Sequence, residues 1–168
     1  AVLVWALAAA LGLGQAADAV ELKAGAAKGV ITPELDKQRI GVMGKPLEGL
    51  NHDLYARVLV LNDGNHRLIL VTYDLNCLDV ATPILRERLQ NELGVGPAFF
   101  IPLATHNHAA PIQIVPDNFD YGRRLAEIIF SLIQEAIARE QGPVNVEFGS
   151  GFAYFIKNLG NAPIDAEV

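Results

Sequence analysis

The sequence predicts an α/β fold, a mixed β-sheet with helices packed on it, from three features. Two β-rich runs, Leu54–Leu61 (LYARVLVL) and Leu68–Tyr73 (LILVTY), flank Asn62-Asp63-Gly64-Asn65, whose Asp-Gly pair is a strong hairpin signal. Tyr121–Arg139 places Leu125, Ile128, Ile129, Leu132, Ile133, Ala136 and Ile137 on one stripe, as an amphipathic helix does. The segment order, β-ββ-α-β-α-β, interleaves strands with helices and calls for a partly antiparallel sheet with helices laid on it.

Each element has its own warrant. Ala1–Gly14 (AVLVWALAAALGLG) is an uncharged run of fourteen residues. A bilayer span takes about 20 apolar residues, so this run has the length of a signal-peptide core instead. Small residues follow it, and Ala17-Asp18-Ala19 fits an A-x-A cleavage site. Residues 1–19 therefore read as a signal peptide whose basic start is missing, residues 20–168 as the mature part, and the location as secreted or periplasmic. A buried N-terminal helix is the competing reading of the same run. Glu21–Ile31 is a short strand of small residues stopped by Thr32-Pro33, and Asp36–Asn51, with Gly41, Gly44, Pro46 and Gly49, is a loop. Thr82–Leu93 has Ile84, Leu85, Leu89 and Leu93 at helical spacing, with Gly94 as its stop. Ala98–Ala104 is a short apolar strand in which Pro102, unable to donate to a ladder, implies an edge or a bulge. Asn118 or Asp120 is placed to cap the long helix, and Val144–Gly149 reads as a last strand. No terminal element is recognisable after Gly151.

Composition narrows the function. The chain has 168 residues, 51% hydrophobic and 19% charged, which is globular and suits one domain or a piece of a larger one. A net charge of −6 leaves no surplus of Lys and Arg to neutralise phosphates, so nucleic acid is not the expected partner. The lone Cys77 forms no internal disulfide, and a zinc finger, which needs Cys/His clusters, is excluded.

The candidate chemistry lies in Thr105-His106-Asn107-His108, directly after the apolar strand. In an extended chain residues i and i+2 point to the same side, so both imidazoles are expected to face one pocket, about 6.6–7 Å apart along the strand. That suits two metal ligands, or one ligand and one base that touches substrate. Two exposed loop histidines are the plain alternative. The metallo-β-lactamase pattern H-x-H-x-D-H is not met, because Ala109-Ala110-Pro111 follow, and an amidohydrolase barrel needs a longer chain. Weaker candidates are His52-Asp53 at the start of a strand, Asp74 at the end of one as a site carboxylate or a turn or cap residue, and His66 as a solvated hairpin residue. Cys77 reads as a small buried hydrophobe rather than a nucleophile. Ser150 lacks the glycine spacing of a nucleophile elbow.

Taken in order, several segments resemble the N-terminal part of the neutral/alkaline (non-lysosomal) ceramidase family. They are Ala24–Pro33 (AGAAKGVITP), Val42-Met43-Gly44, His52–Leu61 (HDLYARVLVL), Asp74-Leu75, Ala104–Pro111 (ATHNHAAP, beside the family's ATHTHSGP), Phe148–Gly151 and Lys157-Asn158. The resemblance implies a larger layered α/β catalytic domain and a secreted hydrolase of sphingolipid metabolism that cleaves the amide of ceramide with one zinc ion. By it, His106 matches the zinc-ligating first histidine of the motif and His108 the second, which faces substrate. It implies a ceramide-like lipid or another amide as substrate, with room for peripheral membrane contact. The family's further zinc ligands, a His, a Glu and a Tyr, lie downstream of the matched segments, so these 168 residues alone are expected to be inactive. Lys157-Asn158-Leu159 stands where the family has R-N-R, which removes a site guanidinium, and Ala109-Ala110 replaces Ser-Gly. A non-catalytic exported relative that binds a lipid or a carbohydrate is the alternative.

Overall fold

The structure, a computed structural model, describes residues 21–34 and 37–152. The expected signal peptide, Lys157-Asn158 and Leu159 lie outside the described residues. Four strands form one sheet in the order β1 (Lys23–Val30), β2 (Tyr55–Asn62), β3 (Arg67–Tyr73) and β4 (Phe100–Ala104). The first three pair antiparallel as a meander, while β3 and β4 pair parallel, Ile69 opposite Phe100 through Tyr73 opposite Ala104. The parallel pair needs a crossover, and α1 (Ala81–Leu93) supplies it. The sheet is mixed and carries two helices, as the sequence predicts.

Local chemistry sets the boundaries. The β2–β3 hairpin closes on Asp63, whose carboxylate accepts the backbone N–H of His66 at 2.6 Å and of Asn65 at 2.9 Å. Those two bonds favour the charged form and hold the Asp63 carboxyl below the usual range. Gly94 ends α1 in the left-handed conformation, φ 66°, and its N–H returns to the carbonyl of Leu89. Ala98–Ala104 divides into a 3-10 turn at Pro97–Phe99 and the strand β4, and Pro102 sits on an edge strand.

The core lies between one face of the sheet and the helices. Helix α2 (Phe119–Ala138) crosses β1 and β2, and α1 packs beside α2. Val58, Val60, Ile69, Val71 and Phe100 from the sheet meet Leu85 and Leu89 of α1 and Leu125, Ile129 and Ile133 of α2 in one cluster. The small residues of β1 have a packing reason: a Cβ at Gly25 would collide with the carbonyl oxygen of Ala136, so the α2 backbone rests directly on the strand. Arg67 pairs with Glu140 at 2.6 Å, and the Asn62 amide donates to the same carboxylate at 2.6 Å, which ties the hairpin to the end of α2.

Two expectations are corrected here. Neither Asn118 nor Asp120 caps α2 through its side chain. The Asn118 amide is fully buried and donates to the carbonyls of Ile40 and Ile112, both at 2.7 Å, so it fastens the loop after β1 to the segment before the helix. Asp120 receives Arg39 at 2.6 Å and Lys37 at 3.1 Å. The expected strand Val144–Gly149 does not form. Gln141 bridges Ala24, and Val144 donates to the carbonyl of Leu22 at 2.8 Å, but Pro143 between them has no N–H for the ladder.

Candidate functional site

The parallel strands β3 and β4 end side by side, where ligand sites of open α/β sheets gather. Past the ends of both strands the pairing continues. Thr105 N–H donates to the carbonyl of Tyr73 at 3.0 Å and Asn107 N–H to that of Leu75 at 3.1 Å. His106 stands between these two bonded residues with φ 60°, the one non-glycine residue in the left-handed region among the described residues. A non-glycine residue there costs of order 1 kcal/mol and persists when its surroundings over-determine it. The surroundings here are the two flanking ladder bonds and Asn107, whose amide donates to the carbonyl of Asp74 at 3.3 Å and whose oxygen accepts the N–H of Ala109 at 2.9 Å.

The consequence is a histidine pair. The rings of His106 and His108 lie edge to face, centroids 4.8 Å apart and planes 68° apart. The sequence placed both on one side by the alternation of an extended strand. The structure does bring them together, with a left-handed turn at His106 in place of a regular extended strand. Both side chains are exposed. The half-buried carboxamide of Asn76, on the strip leading from β3, sets its Nδ2 at 3.3 Å from the Nδ1 of His106.

The other sequence candidates go elsewhere. Asp74 turns to β2: its carboxylate accepts the Tyr55 N–H at 3.0 Å and pairs with Arg57 at 3.0 Å. It caps no helix. Arg57 and Lys28 flank the Tyr55 ring, at 5.6 Å and 3.8 Å from its centroid, so positive charge collects beside this end of the sheet. Asp53 accepts the Thr32 hydroxyl at 2.8 Å, which in turn accepts the Leu54 N–H at 2.9 Å, a clasp between the exits of β1 and the entry to β2. His52 is exposed beside it. His66 sits at the opposite end of β3, stacked on Phe99 at 4.9 Å. Burial, with Asp79 adding to it, pushes the Cys77 thiol up, so it is not a ready thiolate. Ser150 is exposed outside any helix or strand.

Sequence reasoning missed Asn76 and Asn107. An asparagine inside a two-histidine motif carries a signal for Asn107, since its side chain bonds its own backbone at turns. Asn76 has only its place, three residues past a strand that ends beside the motif.

Two imidazoles are nitrogen donors of the kind zinc takes, and a catalytic zinc takes three protein ligands. Among the described residues no group of three or more His, Cys, Asp or Glu is placed to hold a metal ion. The donor type fits and the histidine pair is a partial donor set. Among the described residues no helix is long and apolar enough to cross a membrane.

No family model matches the chain, and no curated protein matches it either. Solved structures do. The neutral ceramidase from Pseudomonas aeruginosa superposes with a TM-score of 0.63 at 23% identity, over 80% of this chain and 24% of that one. A ceramidase complexed with C2 gives a TM-score of 0.61 at 24% identity, over 79% of this chain and 23% of that one. The chain thus spans about a quarter of the length of these neighbours. At this identity the likeness is one of fold: the mixed sheet with its two helices is the architecture of a stretch of a neutral ceramidase.

Proposed function

We propose that this chain is part of a secreted, zinc-dependent amide hydrolase of the ceramidase type, acting on a ceramide-like lipid or another amide. The observation that carries the reading is the His106–His108 pair, set at the carboxyl ends of parallel strands in a ceramidase-like fold. In this reading His106 is a zinc ligand and His108 faces the substrate. Zinc, when bound, acidifies a water and polarises the amide carbonyl. The chain's own part is positioning and proton handling. The left-handed turn presents the His106 ring, Asn107 holds the loop, and the His108 imidazole accepts or returns a proton at the reacting amide.

The full-length protein tests the reading. His106→Ala is expected to lose bound zinc and turnover together. His108→Ala is expected to keep most of its zinc and lose turnover by about 10²–10⁴-fold. Metal analysis beside rates decides: equal zinc loss in both variants would make the two histidines a ligand pair, and full zinc in both would move the site elsewhere.

A second reading is a non-catalytic exported relative that binds a lipid or a carbohydrate. Stoichiometric zinc in the full-length protein would set it aside.

A further inference from the structure

We propose, resting on the reading of His106 as a ligand, that Asn76 is the positioning residue for its imidazole. The carboxamide oxygen of Asn76 accepts the proton on Nδ1 and leaves Nε2 bare. Three observations lead there.

The strips after β3 and β4 run in register past the strand ends, which sets the Asn76 segment beside the His106 segment. His106 is thrown out of that ladder by its positive φ, so its ring is not fixed by strand packing and needs another restraint. The loop itself is already held by Asn107, through Asp74 and Ala109. Asn76 takes no part in that: among the described residues its side chain has one hydrogen-bond partner, the ring of His106. Its contact therefore acts on the ring rather than on the backbone.

The choice of atom follows from proton arithmetic. The placed orientation sets the Asn N–H toward Nδ1, which requires a bare Nδ1, puts the proton of a neutral ring on Nε2 and blocks that nitrogen as a ligand. A half-turn of the carboxamide exchanges its oxygen and nitrogen with little change in shape. With Oδ1 toward the ring the proton stays on Nδ1, and the lone pair of Nε2 points away, free for a cation. Partners of this kind behind a ligating histidine fix its tautomer, and losing them typically costs about 10–100-fold in metal affinity.

The test reads the tautomer first, on metal-free full-length protein, by nitrogen-15 chemical shifts of the histidine rings, with His106→Ala to assign the signal. The wild type is expected to carry its proton on Nδ1. Asn76→Asp, whose carboxylate can only accept, is expected to give the same tautomer, and Asn76→Leu to move the proton to Nε2. A wild-type ring protonated on Nε2, a ring that differs from that of Asn76→Asp, or a ring indifferent to Asn76→Leu overturns the proposal. Should Asn76→Leu fail to fold, the comparison with Asn76→Asp still decides it. Zinc titration then separates the two claims. Zinc binding about 10–100-fold weaker in Asn76→Leu, and restored in Asn76→Asp, supports both. A wild type that binds no zinc but shows the Asn76-dependent tautomer removes the zinc reading and leaves the role of Asn76 standing.

Discussion

The sheet has two faces with similar side chains and different fates. On the face that carries the helices, Val58, Val60, Ile69 and Val71 are buried, the last three with no exposed surface. One residue along each strand, the side chains turn the other way. There Leu59, Ile101 and Leu103 remain 41%, 38% and 45% exposed. Pairing sets Ala26, Leu59, Leu70 and Ile101 in one row across all four strands of that outer face, beside the row of Lys28, Arg57, Thr72 and Leu103. Strands with one wet face usually alternate apolar and polar, whereas near-continuous apolar runs belong to strands covered on both sides. The runs LYARVLVL and LILVTY are of the second kind, yet the described residues cover one face. The lesson is that an apolar run marks a strand well and says little about which face is packed.

The largest effect expected from this contrast is a pair of neighbouring truncations on β3. Ile69→Ala empties a fully buried site and should cost about 2–5 kcal/mol, the lost transfer energy plus the cavity left behind. Leu70→Ala, one residue on and facing away, should cost clearly less, because its half-buried side chain leaves no closed cavity. Urea unfolding of both variants checks it. Equal losses would mean that the outer face is packed in solution as tightly as the inner one.

The same distinction explains what could be read in advance. The hairpin at Asp63-Gly64, the stop at Gly94 and the edge position of Pro102 follow from local rules of backbone geometry, and all three appear in the structure. The stripe of α2 identified a helix because its apolar side points one way, and the same seven residues that defined it pack on the core or within it. What local rules could not give was tertiary choice. Asn118 has the chemistry of a cap and the position of one, but its amide is spent on Ile40 and Ile112, far apart in sequence and adjacent in space. Val144–Gly149 has strand composition and, among the described residues, one backbone hydrogen bond, from Val144 to Leu22 before β1. At the site, the H-x-H spacing foretold a shared location for His106 and His108, but not the left-handed residue that creates it or the amide of Asn76 behind it.

A smaller effect is expected from acid, and it falls on the covered side. The buried guanidinium of Arg39 donates to Asp120, and with Lys37 this holds the Asp120 carboxyl well below the usual carboxylate range. The folded value is depressed, so the contribution to stability is complete above the unfolded value of about 4. It is lost as pH falls through that value toward the lower folded one, because protonation takes the charged partner from a buried Arg39. Asp120 itself is well exposed, which screens the effect and keeps it modest. Denaturant midpoints measured from about pH 6 to about pH 3 should fall more steeply in the wild type than in Asp120→Asn. Parallel curves would show that the pair carries no linkage.

The smallest effect expected is at Leu59, in the middle of the outer face. Threonine brings a β-branched side chain that suits a strand, so Leu59→Thr does not weaken local propensity and removes apolar surface from the exposed row. Surface changes away from special features usually move stability by no more than about 0.5 kcal/mol. The covered face offers the control: Val60→Thr, next along the same strand and fully buried, places a hydroxyl in the core with no water to satisfy it, which should cost about 1–3 kcal/mol. Thermal or urea unfolding of the two variants, prepared side by side, reads the difference directly. If Leu59→Thr cost as much as Val60→Thr, the outer row would be buried in the folded protein, and the contrast between the two faces would be one of description rather than of energy.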